Sequence, residues 1–115
     1  PCECLHQQQC RIYEQRPTQC RAFECRVLLR VKSGDCSRQD ALKLIRTMQR
    51  RVQRVERLLT RLGQADTHLA ITVRYSRIMR TPMDLQGDPQ SAELRGRLML
   101  EMHRWMISVQ RDFLG

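Results

Sequence analysis

The chain predicts an all-α fold, with an irregular cysteine-rich N-terminal head followed by a small bundle of about three to four helices. Three observations carry this reading. All six cysteines, Cys2, Cys4, Cys10, Cys20, Cys25 and Cys36, fall in the first third of the 115 residues. Beyond residue 37 the apolar residues recur at steps of three and four, the period of an amphipathic helix. Alternation with a period of two is confined to the short, ambiguous stretch Leu69–Val73, so strands are not expected to build the core.

Length sets the scale, because 115 residues form one domain of modest core, and a head of some 36 residues cannot bury enough on its own. Residues 1–36 are therefore read as a cross-linked head with a short helix, and residues 37–115 as the helical bundle, together one compact domain. Residues 1–16 are polar, contain the run Gln7, Gln8, Gln9, and read as loop folded around a ligand. Pro17 has the fixed φ of a first helical position, and Phe23, Val27, Leu28 and Val31 follow at helical spacing. This predicts a helix from Pro17 to near Lys32, stopped at Ser33-Gly34-Asp35.

Ser37 begins the next helix. Its hydroxyl can accept the amide hydrogen three residues on, with Asp40 in the place of the usual capping-box Glu or Gln. Ala41, Ile45, Met48, Val52, Val55, Leu59 and Leu62 then alternate steps of four and three, Leu42, Leu44 and Leu58 widen the stripe, and Gly63 ends it. Such a wide stripe suits packing within one bundle, and Ile45, Val52, Val55 and Leu59 are expected inside. A further helix is predicted from Asp66 to about Arg80 with Leu69, Val73 and Ile78 or Met79 inward, then a loop over 81–88. Asp88-Pro89 with Glu93 starts the last helix, whose Leu94, Leu98, Met102, Trp105, Val109 and Phe113 share a face.

An even number of cysteines suits either disulfides or a metal site. No leader-like segment stands before Pro1-Cys2 and no apolar run approaches a membrane span, so the expectation is a cytoplasmic protein. In a reducing compartment thiolates hold zinc or iron–sulfur clusters more readily than they persist as disulfides.

The run Cys10-Arg11-Ile12-Tyr13, Arg16-Pro17, Cys20-Arg21, Phe23 and Cys25 resembles the second half of the YkgJ-type cysteine-cluster family of zinc- or iron-chelating proteins. Cys2 matches an upstream cysteine of that pattern, although Glu3-Cys4-Leu5 follows it in place of a proline and an apolar residue. The family's CxxCxxCC cluster has no counterpart here. The resemblance covers about residues 2–36 and implies a chelating site.

Four thiolates suit a structural zinc or a four-iron cluster, and Cys2, Cys10, Cys20 and Cys25 make four with Cys4 in reserve. Cys20 and Cys25 would stand about 140° apart on an unbroken helix, so they can share an ion only if the helix begins after Cys20, which is the expectation, or is interrupted between them. Tyr13 and Phe23 are read as walls of this site, and Arg16 or Arg21 as counter-charges to the thiolates. Cys36 reads as a small hydrophobe at a helix entry; His6, among the cysteines, has an imidazole nitrogen able to ligate but reads rather as an exposed loop residue, and His68 and His103 are assigned no chemistry.

The net charge of +9 is uneven: residues 37–63 carry eight Lys/Arg against two Asp/Glu, and residues 64–115 seven against six. Lys43, Arg46, Arg50, Arg54, Arg57 and Arg61 step by three or four along one helix face, with Arg51 beside them. Such a stripe suits nucleic acid or an acidic protein partner. Aromatic residues for base stacking are scarce and no helix-turn-helix signature stands out. An enzyme is the weakest reading, because no Ser-His-Asp, HExxH, CxxC or phosphate-binding glycine loop is present. The sequence therefore favours a metal-binding cysteine-cluster protein with a structural, metal-handling or partner-binding role, and offers a basic nucleic-acid-binding helical protein as the alternative.

Overall fold

A computed structural model describes residues 2–7, 9–84 and 86–114. Pro1, Gln8 of the glutamine run, Leu85 of the loop over 81–88, and Gly115 lie outside them. The chain is mainly helical: β1 (Leu5–His6), β2 (Gln9–Cys10), α1 (Thr18–Ala22), α2 (Arg26–Lys32), α3 (Arg38–Arg61), α4 (Ile71–Arg80) and α5 (Pro89–Val109) follow in order. A 3-10 turn at Tyr13–Gln15 precedes α1, and a π-helical turn at Gln110–Leu114 extends α5.

The long helix α3 follows the sequence closely. Ser37 caps it by accepting the Asp40 amide at 3.1 Å, and its hydroxyl donates to the Asp40 carboxylate at 2.7 Å. At the far end Gly63 takes φ +86°, a left-handed conformation in which a Cβ would be strained. α5 starts as expected with Asp88 accepting from the Gln90 amide and Pro89 in the first turn.

α5 runs back along α3, and the core lies where their apolar faces meet under α4. It contains Val55, Leu58, Leu59, Ile78, Leu94, Leu98 and Met102, flanked by Leu62, Ile71, Tyr75, Met79 and Trp105. Full burial of such an aliphatic side chain contributes about 1.5–3 kcal/mol. Toward the N-terminal end of α3 the facing positions of α5 and its π-helical turn become polar. Ser108 and Asp112 are buried there, and Arg51 reaches across to the Ser108 hydroxyl and the Arg104 carbonyl. The expected burial therefore holds for Val55 and Leu59, is partial for Val52, and fails for Ile45, which remains 37% exposed.

Two further expectations are corrected. The helix predicted from Pro17 to Lys32 is broken at residues 23–25, where Phe23 and Cys25 are extended. α1 buries no side chain, so no packing carries it through to α2, and Phe23 stands 66% exposed out of phase with buried Val27. The helix predicted from Asp66 begins only at Ile71. Asp66 instead accepts the His68 amide at 2.9 Å and closes a local turn, an alternative its short polar side chain offers to the helix.

The inward face of this segment is partly the expected one, with Ile78 buried and Leu69 and Met79 partly so. Val73 is exposed, and the inward positions are Arg74 and Ile78. Arg74 is 0% exposed, donating to the Gln64 carbonyl at 2.9 and 2.5 Å and pairing with Glu56 at 2.5 Å, so the buried guanidinium ties α4 to the end of α3. Arg95 makes the corresponding tie from α5, donating to the carbonyls of Met79 and Thr81. The molecule is elongated, 54 × 31 × 20 Å with a radius of gyration of 17.2 Å. A compact chain of this length would measure about 13 Å. α2 packs on the π-helical turn and α3, while the described part of residues 2–25 contains no buried side chain.

Candidate functional site

Two groups of residues carry chemistry. The first is in the head, where β1 and β2 pair antiparallel with Leu5 opposite Cys10 and His6 opposite Gln9. The Leu5 amide donates to the Cys2 carbonyl and the Arg11 amide to the Cys4 carbonyl, which gathers Cys2, Cys4 and Cys10 around one hairpin. Their thiols interact. Partial desolvation pushes the Cys4 thiol above its ordinary value, the charge of Cys2, a hydrogen bond with Cys2 and the charge of Cys10 push in the same direction, and Arg11 opposes them.

Cys20 lies in α1 and Cys25 caps α2, so the break between the two helices frees them from a common helical phase. Of the two arrangements that would let them share an ion, the chain takes the interrupted helix and not a helix that begins after Cys20. Cys36 is half-buried beside Ser37, and its thiol contacts the Ser37 carbonyl at 3.4 Å. Each cysteine is a free thiol. The donors are of the right kind for a soft metal, but no group of three or more Cys, His, Asp or Glu is arranged to hold an ion among the described residues. Tyr13 and Phe23 do not wall a cavity; both are exposed, and the Arg16 guanidinium stacks 3.6 Å over the Tyr13 ring. Arg21 donates to the carbonyls of Arg16 and Glu14, which holds α1 against the preceding turn.

The second group is the basic face. Lys43, Arg46, Arg50, Arg54, Arg57 and Arg61 are all exposed along α3. Lys43 pairs with Asp40 at 3.2 Å and Arg50 reaches Thr47 at 3.4 Å. Arg46, Arg54, Arg57 and Arg61 make no side-chain hydrogen bond or ion pair among the described residues. Arg51 does not belong to this face: it is half-buried and committed to α5.

The packing adds what the sequence reading left out. Arg97 and Arg104 of α5 line the same groove as Arg54, Arg57 and Arg61, with Leu58 and Leu100 between the rows, in a cavity of about 310 Å³. Its one carboxylate, Glu101, holds Arg104 at 3.3 Å, and Arg97 is unpaired among the described residues. Their seven-residue spacing puts Arg97 and Arg104 on one helix face, a signal present in the sequence but masked by the near-neutral charge of residues 64–115. A shallower depression lined by Lys43, Arg46, Gln49, Arg50 and Gln53 continues the basic face along α3. Among the described residues no helix is long and apolar enough to cross a membrane.

Comparison with known proteins returns no matching family, no similar curated protein and no similar solved structure.

Proposed function

We propose that this protein binds nucleic acid through the arginine-rich face of α3. One observation supports this reading above others: Arg46, Arg54, Arg57 and Arg61 stand exposed in a continuous row without an internal acidic partner among the described residues. Like charges held on one face repel each other, and a polyanion relieves that repulsion while releasing its own counterions. With few aromatic side chains in the chain, phosphate contacts rather than base stacking would supply the affinity.

Titration of labelled RNA and DNA at increasing salt tests the reading. Affinity should fall linearly on a log–log plot, and a combined Arg54→Gln, Arg57→Gln, Arg61→Gln variant should lose binding while keeping its thermal unfolding transition. Retained binding in that variant would sink the proposal.

A second reading is favoured by the hairpin that gathers Cys2, Cys4 and Cys10. On it, the head chelates zinc or an iron–sulfur cluster through these thiols with Cys20 and Cys25, as the cysteine-cluster resemblance implies. Bound metal would draw the thiols into their ionised form, reversing the preference that partial desolvation and neighbouring thiolates impose on Cys4.

A further inference from the structure

The channel between α3 and α5 has a more specific use, which rests on the nucleic-acid reading and deepens it. We infer that it holds the phosphodiester backbone of a single strand, with Arg54, Arg57 and Arg61 on one wall and Arg97 and Arg104 on the other. Arg54 and Arg61 are seven residues apart, as are Arg97 and Arg104, so each row extends about 10 Å along its helix. A strand lying lengthwise meets guanidinium groups from both sides over that distance. The floor between them is Leu58 and the 58%-exposed Leu100, an apolar surface that suits the face of a sugar or base and offers no hydrogen bond for reading sequence.

Duplex DNA fits this surface poorly. Its major groove, about 12 Å wide, admits one helix of about 10–12 Å diameter. Here α5 packs along α3 and lines the same groove as Arg54, Arg57 and Arg61, and a pair of helices spaced about 8–10 Å apart is too broad to enter. An acidic polypeptide would meet the same charges but is less suited to this channel, because its carboxylates are not strung as a continuous chain of charges to lie between two rows.

The test compares the wild-type protein with Arg97→Gln/Arg104→Gln and with the charge-matched control Arg77→Gln/Arg80→Gln on α4. Each is titrated by fluorescence anisotropy with single-stranded RNA, single-stranded DNA, duplex DNA of the same sequence and polyglutamate, over a range of salt. Each phosphate neutralised on a single strand contributes about −0.7 to the log–log salt slope, so loss of two contacts should reduce its magnitude by up to about 1.4. The α4 control should keep the wild-type slope. RNA and DNA arms of equal strength assign recognition to the shared backbone, and a difference between them assigns part of it to the sugar; both keep the strand in the channel. A double variant indistinguishable from the control, or wild-type binding to duplex or polyglutamate as tight as to single strands, overturns the channel and leaves binding through α3 standing. Wild-type protein that binds no nucleic acid sinks the functional reading itself.

Discussion

Arg74 and Asp112 are the two charged residues that the fold buries, and neither was legible as a buried position. Arg74 takes an inward position on α4, one residue past the exposed Val73. The hydrophobic pattern gave Leu69, Val73 and Ile78 or Met79 as the inward face and passed over Arg74, since a pattern assigns an arginine to solvent unless a partner is known. The partners here, Glu56 and the Gln64 carbonyl, come from the far end of α3 and are set by tertiary packing. Asp112 is fixed by the neighbouring Arg111 guanidinium in a two-bond pair, each contact 2.7 Å. That pairing holds its carboxyl below the ordinary value, against the opposing effect of burial, with the charges of Arg111, Arg30 and Arg51 adding to it. A carboxyl lowered in the folded state contributes stability that is complete above its unfolded value, about pH 4, and lost as pH falls through the folded one. Asp112→Asn should therefore be less stable than wild type at neutral pH, with the difference shrinking as both are acidified below that range. Chemical denaturation across pH measures this. A difference that stays constant with pH would assign the effect of Asp112 to packing instead of charge.

Elements differ in how fully the sequence specifies them. α3 has a capping serine, a long apolar stripe and a terminal glycine, and these local signals agree with its packing, so its limits follow the sequence to within two residues. α1 and α2 show the contrary case. Their residues suit a single helix, but Thr18–Ala22 has no side chain to bury and the chain turns out at Phe23. The basic face was legible on α3 because its period is written along one element, whereas the groove needs Arg97 and Arg104 from a helix remote in sequence. Burial along α3 is likewise set by what faces it: α5 presents Leu98 and Met102 to the C-terminal half, then Ser108 and Asp112 further back. Leu59→Ala should accordingly cost about 2–5 kcal/mol, as expected for truncating a fully buried leucine. Ile45→Ala, at a position 37% exposed, should cost less, about 1–1.5 kcal/mol. Urea unfolding of the two variants measures both values, and equal losses would contradict the polar transition along the α3–α5 interface.

At the scale of the whole molecule, stability is concentrated away from the cysteines. The division into head and bundle was expected from their segregation in the sequence, but residues 26–32 pack with the bundle, so the part without a core ends near Cys25. Spacing could not reveal this, because whether an amphipathic turn such as Val27–Val31 docks depends on the π-helical turn that Arg26 meets through the Arg111 carbonyl. Local opening follows from the same distribution: amides held by short turns and a two-residue ladder open at low cost, whereas those of α3 and α5 open only when the core does. In metal-free, reduced protein, amide hydrogen exchange should therefore be fast throughout the described part of residues 2–25 and slow for Val55–Leu59 and Leu94–Met102. If the thiols take up zinc, ligation would supply the free energy that this segment lacks, and its amides should slow in step with metal while those of the core stay unchanged. Cys20→Ser should weaken that response more than Cys36→Ser, since Cys36 packs at the entry to α3 and contacts the Ser37 carbonyl. Strong protection of the head without metal would mean that it holds its shape through contacts other than ligation, and an equal response in the two serine variants would remove Cys20 from the chelating set.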